Sequence, residues 1–196
     1  MARRLQKFPE GIPALWKADI DAAFRRIPIS PGHRELAWVT FKHKGKTYAA
    51  RHHSCMFGAT ASVHGWGRVG ELIVHLARTI VFLPALRYVD DYFSVESSAR
   101  LAEHAKGVFQ RLCSLLLGKG VVKEEKVAHG NPLTILGLTI SIDESSMEVW
   151  PSQDKVEKWT SDVHCAIASR KLSSREAAKL AGRLGFTAQN AFQNVG

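Results

Sequence analysis

The chain has 196 residues, 45% of them apolar, and carries 27 Lys plus Arg against 18 Asp plus Glu, a formal charge of +9 and a pI near 9.7. That is the length of one domain or of a domain with a small appendage, and the charge points to an anionic partner, nucleic acid ahead of an acidic membrane surface. The three cysteines, Cys55, Cys113 and Cys165, are odd in number and form no CxxC pair, which argues against a disulfide framework or a zinc finger and for a reducing, intracellular setting, cytoplasmic or nuclear. The opening MARRLQKFPEG holds no apolar run for a signal peptide. The greasiest stretch, ELIVHLARTIVFLPAL, is interrupted by His75, Arg78 and Pro84 and is too short to span a bilayer.

In chain order, residues 1–14 read as a basic lead-in punctuated by Pro and Gly. LWKADI alternates well enough for a strand over 15–20, and DAAFRRI suits the start of a short helix. Residues 36–52 predict a hairpin turning at Lys44-Gly45, its turn and flanks rich in Lys, Arg and His. The apolar positions Val63, Trp66, Val69, Ile73, Leu76, Ala77 and Ile80 recur at helical spacing from Ser62 to about Ile80. Two strands follow, turning at Asp90-Asp91. Ser97 or Ser98 then caps a helix with the stripe Leu101, Ala105, Val108, Phe109, Leu112 and Leu116, closed by Gly118. A second hairpin is predicted from KVAHGNPLTILGLTISID to MEVW, turning at Glu144-Ser145-Ser146. Two helices close the chain, about 153–170 and 174–190, the last opened by the capping box Ser173-Ser174-Arg175-Glu176. The order predicts an α+β sheet layered with helices, followed by a small helical lobe.

RYVDDYFSVES, residues 87–97, sets Asp90 and Asp91 side by side among strand-forming residues. Adjacent carboxylates repel and resist burial, but the cluster becomes favourable around divalent cations, and Mg²⁺ takes such oxygen ligands alongside substrate phosphates. A third carboxylate on a neighbouring strand is needed, and KADIDAAFRRIPI offers one at the end of the first predicted strand. RHHSC, residues 51–55, lacks a second ligand cluster and reads as a basic strand facing nucleic acid rather than a zinc site.

KADIDAAFRRIPISP, FGATASVHGW, RYVDDYFSV and ILGLTISID, in this order, resemble the palm motifs of reverse transcriptases, particularly those of retrotransposons. The resemblance implies an α+β fold with a polymerase palm-type antiparallel sheet. Residues 1–150 would be the palm with a partial fingers hairpin at about 34–54, and 151–196 a thumb-like helical segment. Asp19, Asp90 and Asp91 would hold two Mg²⁺ ions, with Mn²⁺ as a substitute. Asp19 rather than Asp21 fits, because Phe24 lies five residues on, where the family places an aromatic that screens the incoming sugar. Phe24 alone reads as core packing, and Asp21 as a helix cap. Phe57, Gly58 and Ala59 match the loop entering the nucleotide-pocket helix, although Met56 and Val63 stand where relatives often have proline.

By the same resemblance Lys126 would lie near the leaving pyrophosphate and act as a catalytic proton donor, its rival reading being a solvated lysine of the KEEK run. Tyr88 would lie by the primer end, Leu136-Gly137 in the primer-gripping hairpin, and Lys179 and Arg183 on a thumb helix contacting phosphates. Leu180, Leu184 and Ala188 would form that helix's packed stripe. The implied activity is RNA-directed DNA polymerisation on an RNA or DNA template–primer with dNTPs. Relatives place much of their fingers upstream of the first palm motif, so the expectation is a piece of a retroelement polyprotein. Missing fingers and RNase H regions would then come from a longer chain. The alternatives are an inactive nucleic-acid-binding remnant and, disfavoured by Phe24, an RNA-dependent RNA polymerase.

Overall fold

The computed structural model describes residues 11–143 and 146–189. The expected lead-in up to residue 10, Glu144 and Ser145 of an expected turn, and the end of the last expected helix past residue 189 lie outside the described residues. The architecture is α+β, with antiparallel sheets and helices. The chain forms two compact units, the first made of Lys17–Ser94 and His104–Ala128, the second of Met1–Trp16, Val95–Glu103 and His129–Gly196.

Strand β1 (Ala14–Asp19) is buried at every position but Lys17, where the sequence suggested alternation. The reason is its interior place in a four-stranded sheet, with the strand Asp91–Glu96 on one side and the strand Ala128–Gly130 on the other. In the first unit it leads into a single 3-10 turn over Ala23–Arg26, shorter than the expected helix. A second 3-10 segment over Pro31–Leu36 was not foreseen. The basic hairpin forms as β2 (Trp38–His43) and β3 (Lys46–Arg51). Lys44 at φ 48° and Gly45 at φ 77° make the two-residue turn that matches the strands' twist.

Helix α1 (Thr60–Thr79) buries Ser62, Trp66, Gly70, Ile73, Val74 and Ala77. This face is rotated from the expected one: Val63 and Ile80 are exposed, and Gly70 takes its place because the Arg87 side chain packs flat on it, leaving no room for a Cβ. β4 (Leu86–Tyr88) and β5 (Asp91–Glu96) follow, Tyr88 facing Asp91 across the turn. Helix α2 (Ala99–Leu117) buries Ala102, Ala105, Phe109 and Cys113, while Leu101 and Leu116 of the expected stripe are exposed. Ser98 is the cap: its Oγ accepts from Leu101 N at 3.3 Å. Tyr92 packs on Phe109 with ring centroids 4.8 Å apart, and burial pushes the Cys113 thiol up to about 12, so this cysteine serves packing.

In the second unit, β7 (Leu133–Ile135), β8 (Leu138–Ile142) and β9 (Met147–Pro151) form a three-stranded antiparallel sheet, while the short β6 is Ala128–Gly130. Leu136 and Gly137, at φ 52° and 76°, make the β7–β8 turn. Asn131 pins the edge of this sheet, accepting from Ile142 N at 3.0 Å and donating to Pro13 O at 2.8 Å. Helices α3 (Gln153–Ser169) and α4 (Ser174–Thr187) close the described chain. The predicted capping box is present: Ser173 Oγ accepts from Glu176 N, and the Glu176 carboxylate accepts from Ser173 N.

Candidate functional site

The site is built at the C-terminal end of β1. Asp19 is the last residue of that strand and, at 9% exposure, the most buried carboxylate described. Backbone hydrogen bonds fix its surroundings on both sides: Ile20 N donates to Asp90 O at 3.1 Å, and Asp21 N donates to Val121 O at 2.7 Å. One neighbour is therefore the β4–β5 turn and the other the segment after α2. In that segment a 3-10 turn over Glu124–Lys126 swings Lys126 back, and its ammonium lies 2.5 Å from Asp19 Oδ2. This contact holds the Lys126 pKa above the usual lysine value, with Asp91 and Asp90 adding to it.

The turn sits one residue earlier than the sequence suggested. Its two loop residues are Val89 and Asp90, and Asp91 begins β5. Val89 is at φ 55°, a region costly for a β-branched side chain. Its carbonyl holds it there by accepting two hydrogen bonds, from Trp66 Nε1 at 2.8 Å and from Arg87 Nη1 at 2.8 Å. Arg87 is itself clamped by Glu71, 2.7 Å away. Neither Trp66 nor Arg87 was singled out from the sequence for this role, although both lie in the quoted motifs. A bulky donor on the helix beside a tight acidic turn was the available signal.

Asp91 has its carboxyl pushed above the usual carboxylate range, first by burial, then by the negative charges of Asp19 and Asp90. Lys126 and Lys17 oppose this effect on Asp91. Asp21 does not cap the following turn, whose N-cap is Ala22. It pairs instead with Lys123 at 2.8 Å and Arg26 at 3.6 Å, and the Lys123 hydrogen bond holds its carboxyl below the usual range.

Phe24 and Phe57, assigned separately, meet edge to face with centroids 5.3 Å apart. Gly58, at φ 82°, has open space where a Cβ would be, and Ala59 precedes α1 as its N-cap. Tyr88 ends β4 with its side chain exposed. All these residues belong to the first unit.

Leu136, Gly137, Lys179 and Arg183 belong to the second unit and are described there. The Lys155 side chain from α3 lies across Gly137, and Ser152 N donates to Gly137 O at 3.2 Å. Lys179 and Arg183 line a groove of about 420 Å³ between α3 and α4 together with Lys158 and Lys171, and Arg183 is paired with Asp162 at 3.1 Å. Leu184 and Ala188 line a separate, apolar groove with Val156, Trp159 and Val163, whereas Leu180 faces the basic one. The expected stripe is therefore split between two surfaces.

Three carboxylates supply hard oxygen donors of the kind that suit Mg²⁺ or Mn²⁺, and a cation would offset the repulsion from Asp19 and Asp90 that adds to burial in raising Asp91. In donor chemistry the set fits such an ion. Among the described residues no group of three His, Cys, Asp or Glu side chains is arranged to hold an ion, and Asp19 is engaged by Lys126. No described helix is long and apolar enough to cross a membrane.

No family model and no curated protein matches the chain in sequence. Solved structures do resemble it. The foamy viral protease-reverse transcriptase in complex with RNA/DNA hybrid superposes with a TM-score of 0.61 at 19% identity, covering 90% of this chain and 21% of that one. The dRH form of that protein, in complex with double-stranded DNA, gives 0.61 at 18% identity over 90% and 28%. A further complex of it with double-stranded DNA gives 0.57 at 18% identity over 88% and 32%. The chain therefore has a reverse-transcriptase-like fold and spans between 21% and 32% of the chains it resembles.

Proposed function

We propose that the chain is the palm and thumb-like portion of an RNA-directed DNA polymerase of a retrotransposon-like element, transferring dNTPs to a primer on an RNA or DNA template. Residues 1–150 are read as palm with a partial fingers hairpin and 151–196 as thumb. The observation that carries this is the placement of the Asp90-Asp91 turn beside Asp19 at the end of β1, where Ile20 N donates to Asp90 O at 3.1 Å and Lys126 reaches Asp19. Three carboxylates gathered at one strand end, beside a strained turn, are hard to explain as packing.

Asp19, Asp90 and Asp91 are the residues that would hold two Mg²⁺ ions, Asp91 contributing less directly than Asp90. When bound, such ions supply acidity at the primer 3′-hydroxyl and charge neutralisation at the leaving pyrophosphate. Asp19 would offer the ion the carboxylate that Lys126 now contacts, and the Lys126 ammonium would be the proton donor for the leaving pyrophosphate. Phe24, braced edge-on by Phe57, would deny space to a ribose 2′-hydroxyl. Gly58 would let the backbone approach the nucleotide. Lys179 and Arg183, with Tyr88 and the Leu136-Gly137 turn, would position the template–primer, and binding should weaken steeply with salt.

Primer extension with dNTPs and Mg²⁺ or Mn²⁺ tests the reading: extension by the wild type that Asp90→Asn abolishes supports it, and full extension by Asp90→Asn refutes the ion site. The alternative is a catalytically inactive, nucleic-acid-binding remnant. It is favoured by one observation, the lysine ammonium placed on Asp19. Salt-sensitive binding with no extension under either ion would select it.

A further inference from the structure

Among the described residues the β2–β3 hairpin is hydrogen-bonded to no other strand, and every one of its residues except Val39 is exposed. An isolated two-stranded ribbon is marginal in water. This one also displays large aromatic rings: Trp38 is 52% exposed, Phe41 49% and Tyr48 43%. The pairing register sets Phe41 opposite Tyr48, on the same face as His43 and Lys46, because alternate residues share a face. Phe41 and Tyr48 stack with centroids 5.6 Å apart and planes 18° apart, and the His43 ring follows at 6.4 Å from Tyr48. The three rings form a row along one face.

Charge completes the pattern. From Leu36 to His53 the sequence holds Lys42, Lys44, Lys46 and Arg51 and no carboxylate, and the adjoining Glu35 pairs with Arg51. Arg51 lies over Trp38 on the opposite face. A cross-strand aromatic pair helps to hold the ribbon, but it does not explain a ring face left to solvent beside Lys44 and Lys46. Stacking surfaces edged by lysines suit an unpaired nucleic-acid strand, whose bases offer flat apolar faces and whose phosphates offer negative charge.

We propose that the Phe41–Tyr48–His43 face of the hairpin is a stacking platform for unpaired bases of a single-stranded nucleic acid, with Lys46 on that face and Lys44 at the turn taking the phosphates. It rests on the nucleic-acid reading above only for the class of partner, and requires no catalysis.

The test measures binding of the full chain to a short oligo(dT) as a function of salt, against the same strand annealed to its complement. Tyr48→Leu should weaken oligo(dT) binding about tenfold while leaving the salt slope unchanged, and Tyr48→Phe should bind like the wild type. Lys44→Ala should reduce the salt slope by about 0.7. A Phe41→Trp variant, which reports on the face directly, should be quenched by oligo(dT) and not by the duplex. Wild-type affinity in Tyr48→Leu, equal losses on strand and duplex, or no quenching of Phe41→Trp would overturn the platform. If the wild type still extends primers in that case, the polymerase reading stands without it. A wild type that binds neither strand nor duplex would overturn both.

Discussion

The Lys126 ammonium lies 2.5 Å from Oδ2 of Asp19, so the most buried carboxylate of the cluster is answered by a tethered cation. An amine there competes with any metal ion for the same oxygen. Lys126→Met should therefore bind Mn²⁺ more tightly than the wild type in a direct titration, by a few-fold. If the lysine also serves the leaving group, primer extension should fall by about a hundredfold in the same variant. Unchanged Mn²⁺ affinity would show that the contact is incidental.

The strained turn has its own test. Trp66 is almost fully buried and donates to the Val89 carbonyl, which also accepts from Arg87. Trp66→Phe keeps most of the packing and removes this donor. The expected cost is about 1–2 kcal/mol, or roughly 2–8 °C in Tm, because Arg87 still satisfies the carbonyl. Extension should fall further than stability does, since Asp90 is carried by that turn.

Phe24 packs edge to face on Phe57. Phe24→Ala should cost about 1 kcal/mol through the lost aromatic pair. It should also admit rNTPs in primer extension, the measurement that bears on sugar choice. Unchanged discrimination would leave Phe24 as a packing residue only.

Stability in acid should carry a signature of the clamp behind the turn. The hydrogen bond from Arg87 holds the Glu71 carboxyl below its ordinary 4.5. A depressed carboxylate contributes stability that is fully present above 4.5 and is lost as pH falls through the lower, folded-state value. Thermal melts should therefore show Glu71→Gln differing from the wild type at neutral pH and converging with it in that acid range. Curves that run parallel throughout would contradict the assignment.

Much of this was legible in the sequence. Lys44-Gly45 supplies the two positive φ angles its hairpin needs, and Ser173 with Glu176 spells its capping box, because turns and caps are decided within a few residues. The acidic turn was legible in kind and off by one in register, since nothing local announces that Val89 adopts a positive φ. Trp66, distant in sequence, holds it there together with the nearby Arg87. Helix faces were read from apolar spacing, which missed Gly70: the face follows the Arg87 side chain it must accommodate. The Lys126–Asp19 contact spans 107 residues and follows from tertiary placement alone. The spacing of the lysine suggested a role without revealing its partner.

The most direct measurement is a Mn²⁺ titration of the full chain, read by the resonance of the free ion, for the wild type, Asp19→Asn and Asp90→Asn. If the carboxylate closing β1 and those of the neighbouring turn share one cation, each variant should lose affinity by about tenfold or more. Equal affinity in all three proteins would mean that these side chains do not converge on an ion.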